Sequence, residues 1–167
     1  MARVKLGWEG RFFEDFEVGD VYIHPYGRTI TESDNIWFSL LTMNVNSALT
    51  LALVLGMSVM DVSQNAINLG WEDIKLPNPV FVGDTLYAQT EVLEKRESKS
   101  RPEMGIVKVR TIGYNQDGKI VLDMKRTIMV WKREYAPRTK ILKRRLDLTS
   151  RYKNETTNLS KRRRVEG

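Results

Sequence analysis

Residues 47–62 read SALTLALVLGMSVMDV, and the reading of this stretch decides the fold. Leu49, Leu51, Leu53, Val54, Leu55, Met57, Val59 and Met60 leave no polar face, with Thr50 and Ser58 as the interruptions. A helix that is apolar all round is a buried helix. It is too short to span a membrane, which takes roughly 18 or more apolar residues. Ser47 suits the N-cap, where its side-chain oxygen can accept from an early backbone N–H. Those first N–H groups lack intrahelical partners and carry the positive end of the helix dipole. Where such an end reaches a cleft, it suits an anion or a developing oxyanion. A core helix without a site is the plain alternative.

Working outward toward the N-terminus, Asn44-Val45-Asn46 is a break, and a second helix is predicted over Glu32–Leu41. Thr31 and Asp34 form a capping-box pattern at its start, with Ile36, Leu40 and Leu41 at helical spacing. Before it, Val18-Gly19-Asp20 turns into a strand over Val21–Pro25. Toward the C-terminus the chain becomes polar at Ser63-Gln64-Asn65, passes Gly70-Trp71, and meets Leu76-Pro77-Asn78-Pro79, which is not helix interior. Val80–Val82 and Thr85–Val92 read as strands around a Gly83-Asp84 turn. Lys95–Arg101 reads as a charged connection, and Ile106–Tyr114 as a strand. Asp117-Gly118 signals a hairpin, and Lys119–Trp131 is the returning strand, with Arg126 as a charge on its apolar side. A fully apolar helix and a long antiparallel sheet satisfy each other when the sheet wraps the helix. The expected class is α+β, an antiparallel sheet wrapped round a central buried helix.

With 167 residues and no cysteine, the chain is one domain with a tail, and thiolate chemistry and disulfides are excluded. The single histidine, His24, excludes a His-rich metal site, and no metal is expected. The net charge of +6 is uneven: residues 132–167 carry 13 Lys and Arg against 4 Asp and Glu, which leaves the body slightly acidic. The expected division is a domain over residues 1–133 and a basic tail over 134–167. The tail runs Lys143-Arg144-Arg145 and Lys161-Arg162-Arg163-Arg164 suit a phosphate backbone. With only Tyr135 and Tyr152 interleaved, a solubilising end is the favoured reading and nucleic acid is not an expected partner. No signal-peptide pattern or membrane span is read, so the expected location is cytoplasmic.

Several stretches together carry a family resemblance: FFEDFEVGD at 12–20, GRTITESDN at 27–35, LTMNVN at 41–46, SALTLALVLGMSV at 47–59, LPNPVFVGDTL at 76–86, ESKSRP at 97–102 and GYNQDGK at 113–119. Through them the chain resembles the MaoC-like hydratases of the hot dog fold, and among these the mesaconyl-CoA hydratase branch. The resemblance implies the hot dog fold and reversible addition of water to a 2-enoyl-CoA thioester. It implies no cofactor beyond the CoA of the substrate. It also implies at least a homodimer, because hot-dog domains pair.

In that family a loop reading Asp/Asn-x-Asn-Pro-x-His-x-Asp activates water, and backbone N–H groups at the start of the central helix hold the thioester oxygen. Asn44 matches the start of the loop, and Ser47 and Ala48 match the start of the helix. The Pro-x-His part has no counterpart here: the chain passes from Asn46 straight to Ser47, a difference of about twenty residues, or one helix and its loop. Asn44 can orient water but is no base. The resemblance therefore leaves two readings open, a hydratase or an acyl-CoA-binding protein without a catalytic histidine. Arg96, Lys99 and Arg101 are candidates for the CoA phosphates, against a plain solvated loop. His24 reads as a strand residue, Asp84 as a turn cap, and Asp61 as a polar residue where the helix leaves the core.

Overall fold

The computed structural model describes residues 8–43 and 47–137, with the side chain of Ser47 left out. The chain divides into two units, Met1–Lys132 and Arg133–Gly167. Of the second only 133–137 are described, beginning with a turn at Arg133–Tyr135.

The first unit is an antiparallel sheet with one helix packed across it. Its strands are β1 (Val21–Ile23), β2 (Arg28–Thr29), β3 (Ala66–Lys75), β4 (Thr85–Glu97), β5 (Met104–Tyr114) and β6 (Ile120–Trp131). The order is β1-β4-β5-β6-β3, and β2 continues the β1 edge along the start of β4. The helices are α1 (Glu32–Thr42) and α2 (Ser47–Ser58), and α2 runs on into a π-helical turn, Val59–Ser63. α2 lies across β4, β5 and β6. Gly113 on β5 makes this approach possible: a Cβ there would sit 2.6 Å from Val54 Cγ2 of α2.

Two apolar clusters fill the space between helix and sheet. Phe13, Phe16, Val62, Val92, Val107, Val109, Ile128 and Val130 form one, beneath the end of the helical segment. Ile30, Val54, Leu86, Ala88, Val121, Leu122 and Met124 form the other. The first draws on alternate residues of β5 and β6 with Val92 of β4, and the second on β4 and β6, as a sheet with one covered face requires.

Four expectations need correction. Leu49, Thr50, Val54, Ser58 and Val62 are buried, but Ala52, Gly56, Val59 and Met60 are exposed. The helix is therefore covered on one side only, because a single sheet offers a single face. Ala66–Lys75, read as a polar passage, is a ten-residue edge strand paired with β6. Two register shifts and Asp73 at φ 52° break its alternation, which hid it from a period-two reading. Val80–Val82 is loop. Lys95, Arg96 and Glu97 belong to β4, so the charged connection begins only at Ser98. The capping box of α1 is present, with Thr31 N–H donating to Asp34 Oδ2 (2.8 Å) and Asp34 N–H to Thr31 Oγ1 (3.3 Å). Among the described residues no helix is long and apolar enough to cross a membrane.

A cleft at one end of the central helix and a polar belt at the other

The cleft at the start of α2 has a volume of about 180 Å³ and is lined by Ile30, Asn35, Leu49, Thr50, Val80, Phe81 and Val82. Hydrogen bonds hold its far wall. Ile30 N–H donates to Asp84 O and Gly83 N–H to Ile30 O, both at 2.8 Å. Asp84 Oδ2 accepts from Phe81 N–H (2.9 Å) and Oδ1 from Gln116 Nε2 (2.9 Å). The Phe81 amide, then the Gln116 amide, hold the Asp84 carboxyl below the usual carboxylate range. Asp84 is thus a turn cap, and Gly83 at φ +96° supplies the left-handed residue the turn needs. On the other side, Asn35 is brought in by α1, which Asp34 ties to the loop through Arg28 and Thr31. Asn35 Oδ1 is buried with no partner among the described residues.

Chemically, the cleft offers apolar walls, one amide and one hydroxyl, beside the first turn of α2. Among the described residues its lining contains no titratable side chain. Its walls suit a carbonyl oxygen and an acyl group. Of the sequence candidates, Ala48 lies half-buried in the first turn of α2. Ser47 begins the helix, and Asn44 lies outside the described residues. Arg96, Lys99 and Arg101 are exposed at the end of β4 away from the cleft. The strand between Thr85 and Glu97 spans roughly 40 Å at ~3.3 Å per residue. The structure does not bring those three cations to the cleft of this chain. Asn35, Thr50 and Gln116 escaped the sequence reading. The signal for Asn35 was its place at the end of the GRTITESDN stretch.

At the other end of the helical segment the two apolar clusters are parted by polar side chains. Thr90 stands between Ala88 and Val92 on β4, Thr111 between Val109 and Gly113 on β5, and Arg126 between Met124 and Ile128 on β6. His24 Nδ1 lies 2.8 Å from Asp61 Oδ2, and its Nε2 2.9 Å from Thr90 Oγ1, which in turn lies 3.0 Å from Thr111 Oγ1. The neutral tautomer with its proton on Nδ1 satisfies both contacts, with the Thr90 hydroxyl donating to Nε2. Burial pushes the imidazole below its ordinary value, against the pull of Asp61. Arg126 is fully buried; its Nη2 donates to Ser58 Oγ (2.8 Å), and burial pushes it down to about 10. His24, expected as a strand residue, follows the end of β1 at Ile23, and Asp61 has a definite partner that sequence spacing did not show. The basic tail runs lie outside the described residues. Among the described residues no three acidic or imidazole side chains are placed to hold a metal ion.

Known proteins share this fold. A MaoC domain protein dehydratase from Chloroflexus aurantiacus has 33% sequence identity and a TM-score of 0.74 to this chain, covering 80% of it and 44% of the solved chain. A Mycobacterium tuberculosis protein with a double hot-dog fold shares the fold at 21% identity and TM-score 0.70, covering 76% of this chain and 46% of its own. Fold and cleft define a MaoC-like hot-dog domain. Among relatives, the mesaconyl-CoA hydratase of Cereibacter sphaeroides is 34% identical over 148 residues, 76% of this chain and 43% of that protein. The family model described as mesaconyl-CoA hydratase matches residues 44–141, more than half of the chain, and the chain belongs to that family. It spans less than half the length of the relatives it matches.

Proposed function

We propose that this chain binds a 2-enoyl-CoA thioester in the cleft at the start of α2 and serves its reversible hydration. The observation that carries this is the cleft itself: acyl-sized, apolar, and set against the first turn of a helix in a hot-dog domain. The helix N–H groups near Ser47 and Ala48 would hold the thioester oxygen as negative charge develops on it. Water then adds hydroxyl to Cβ and a proton to Cα. Asn44 would orient that water, and Asn35 Oδ1 would accept from the substrate. A CoA thioester as substrate makes the cytoplasm the place of action.

A second reading is favoured by the cleft's lack of a titratable side chain. Without a general base, commonly worth roughly 10²–10⁴ in rate, the chain alone binds acyl-CoA and turns it over poorly. The only histidine of the chain is buried among Asp61 and Thr90 and does not serve the cleft.

The same logic asks for a second hot-dog unit. α1 exposes Ile36, Trp37, Leu40 and Leu41, and β3 exposes Ile67, Leu69 and Trp71 along a free sheet edge. Isolated exposed apolar residues are ordinary, but a run of them along one element marks an interface. A second copy in a homodimer is the simplest occupant.

The test measures crotonyl-CoA and mesaconyl-CoA binding and turnover on the same sample, with oligomeric state by sedimentation. Saturable binding with turnover far below that of a full-length relative supports the second reading. Turnover equal to the relative's supports the hydratase reading outright. Absence of binding defeats both.

A further inference from the structure

Beside Asp61 the end of the helical segment borders a second cavity of about 380 Å³, lined by Trp8, Arg11, Pro25, Tyr26, Met57, Met60 and Asp61. Its volume falls within the roughly 300–1,000 Å³ of small-molecule sites, and its make-up of mostly apolar walls with a few polar groups is theirs as well. By helix rise alone it lies about 15 Å from the cleft at the start of α2. The thioester reading makes no use of it, and the inference below stands apart from that reading.

The polar groups in this cavity are held in place from behind. Arg11 has its guanidinium carbon 4.2 Å from the centroid of Tyr22 and 5.4 Å from that of Trp8, so its fork is fixed by stacking. Trp8 is itself tied by Nε1–H donating to Met60 O at 3.0 Å. Asp61 is fixed by His24, which occupies Oδ2. That leaves Oδ1, which has no hydrogen bond among the described residues and lies 3.8 Å from Arg11 Nη2. This separation is too long for a direct hydrogen bond. The result is a donor and an acceptor set side by side under aromatic and thioether walls. A free carboxylate ligand would be repelled by Asp61, and a simple cation by Arg11. A planar ring that carries a donor next to an acceptor on one edge suits both groups, and Trp8, Tyr26, Met57 and Met60 suit its faces.

We propose that this cavity binds an adenine-type ring, with the exocyclic amino group donating to Asp61 Oδ1 and the adjacent ring nitrogen accepting from Arg11. The ring can come from a free adenine nucleoside or from the adenine end of a CoA molecule.

The test is an NMR titration of the full chain with adenosine, read at the Trp8 indole N–H, which a Trp8→Phe variant assigns among the four tryptophans. A saturable shift is expected. Purine riboside, which lacks the amino group, should bind at least about tenfold more weakly, the size of a lost hydrogen bond to a charged group. Asp61→Asn keeps an oxygen for His24 but turns an amide N–H₂ toward the ligand, and it should cost adenosine the same factor while sparing purine riboside. Met60→Trp fills the cavity from a half-exposed position without touching His24, and it should abolish binding of both. Displacement of adenosine by CoA at the same signal marks the CoA ring as the occupant; adenosine binding that CoA leaves unchanged marks the free nucleoside. No saturable shift up to about 10 mM overturns the proposal. So does adenosine binding that survives both Asp61→Asn and Met60→Trp unchanged.

Discussion

The two ends of the central helix face opposite problems. At its start, the helix borders a cleft of apolar walls and an amide, with no titratable side chain in its lining among the described residues. At its far end, around the π-helical turn, the chain has gathered its one histidine, a buried arginine and two threonines in the core, with an aspartate at the core's edge. Proton-active groups are thus present, but they are engaged in holding the fold. The difference teaches that having a histidine is not the same as having a base: Nδ1 and Nε2 of His24 are both committed to protein partners.

The largest expected effect breaks the packing that both ends share. In Gly113→Val the added carbons meet Val54 directly, and helix and sheet must separate. Destabilisation of about 2–3 kcal/mol is expected in urea unfolding. A neutral result would mean that α2 does not lie against β5.

The next test removes charge from the belt alone. Arg126→Met exchanges a buried guanidinium for an apolar side chain, and Ser58 Oγ–H still donates to Leu55 O at 2.7 Å. Stabilisation by about 1–2 kcal/mol is expected, as when buried charges give way to well-packed apolar groups. Marked destabilisation would show that the guanidinium is satisfied within the core.

Asn35→Ala acts on the cleft alone. It removes the unpartnered Oδ1 without touching the Asp34 cap, and acyl-CoA affinity should fall about fivefold to tenfold at unchanged stability, read by calorimetric titration. Unchanged affinity would separate Asn35 from the substrate.

The smallest effect distinguishes the ends by pH. His24 sits below its ordinary value in the folded protein, so between its folded value and about 6.5 the unfolded chain binds the extra proton. Stability should therefore fall as pH drops from about 7 toward 5, by less than about 1.4 kcal/mol per pH unit, and His24→Gln should remove that slope. Asp61, Arg11 and Arg126 are the charged neighbours of the imidazole. Asp34 and Asp84 are held low by hydrogen bonds, so their contribution is lost only below about pH 4 and does not blur the window.

How much was legible depended on how local each signal was. The capping box of α1, the Gly83-Asp84 turn and the Asp117-Gly118 hairpin are contacts between near neighbours in the chain, and each is where the spacing put it. The edge strand β3 was not legible, because its bulges break the alternation that betrays a strand. The partnership of Asp61 with His24 joins residues 37 apart, and no spacing rule reaches that far. Arg96, Lys99 and Arg101 were candidates for the CoA phosphates through the family resemblance; β4 runs on to Glu97, longer than its apolar alternation showed, and sets them at its end.

The sequence by itself determined that a fully apolar helix would meet a long antiparallel sheet, and that no histidine stands between Asn44 and the start of that helix. Both are properties of composition and order. Only the tertiary structure decided which side of that helix is covered and where the polar residues of alternate strands meet. A helix apolar on every side does not say which side faces its own sheet; packing against β4, β5 and β6 covers one half and leaves Ala52, Gly56, Val59 and Met60 on the other exposed.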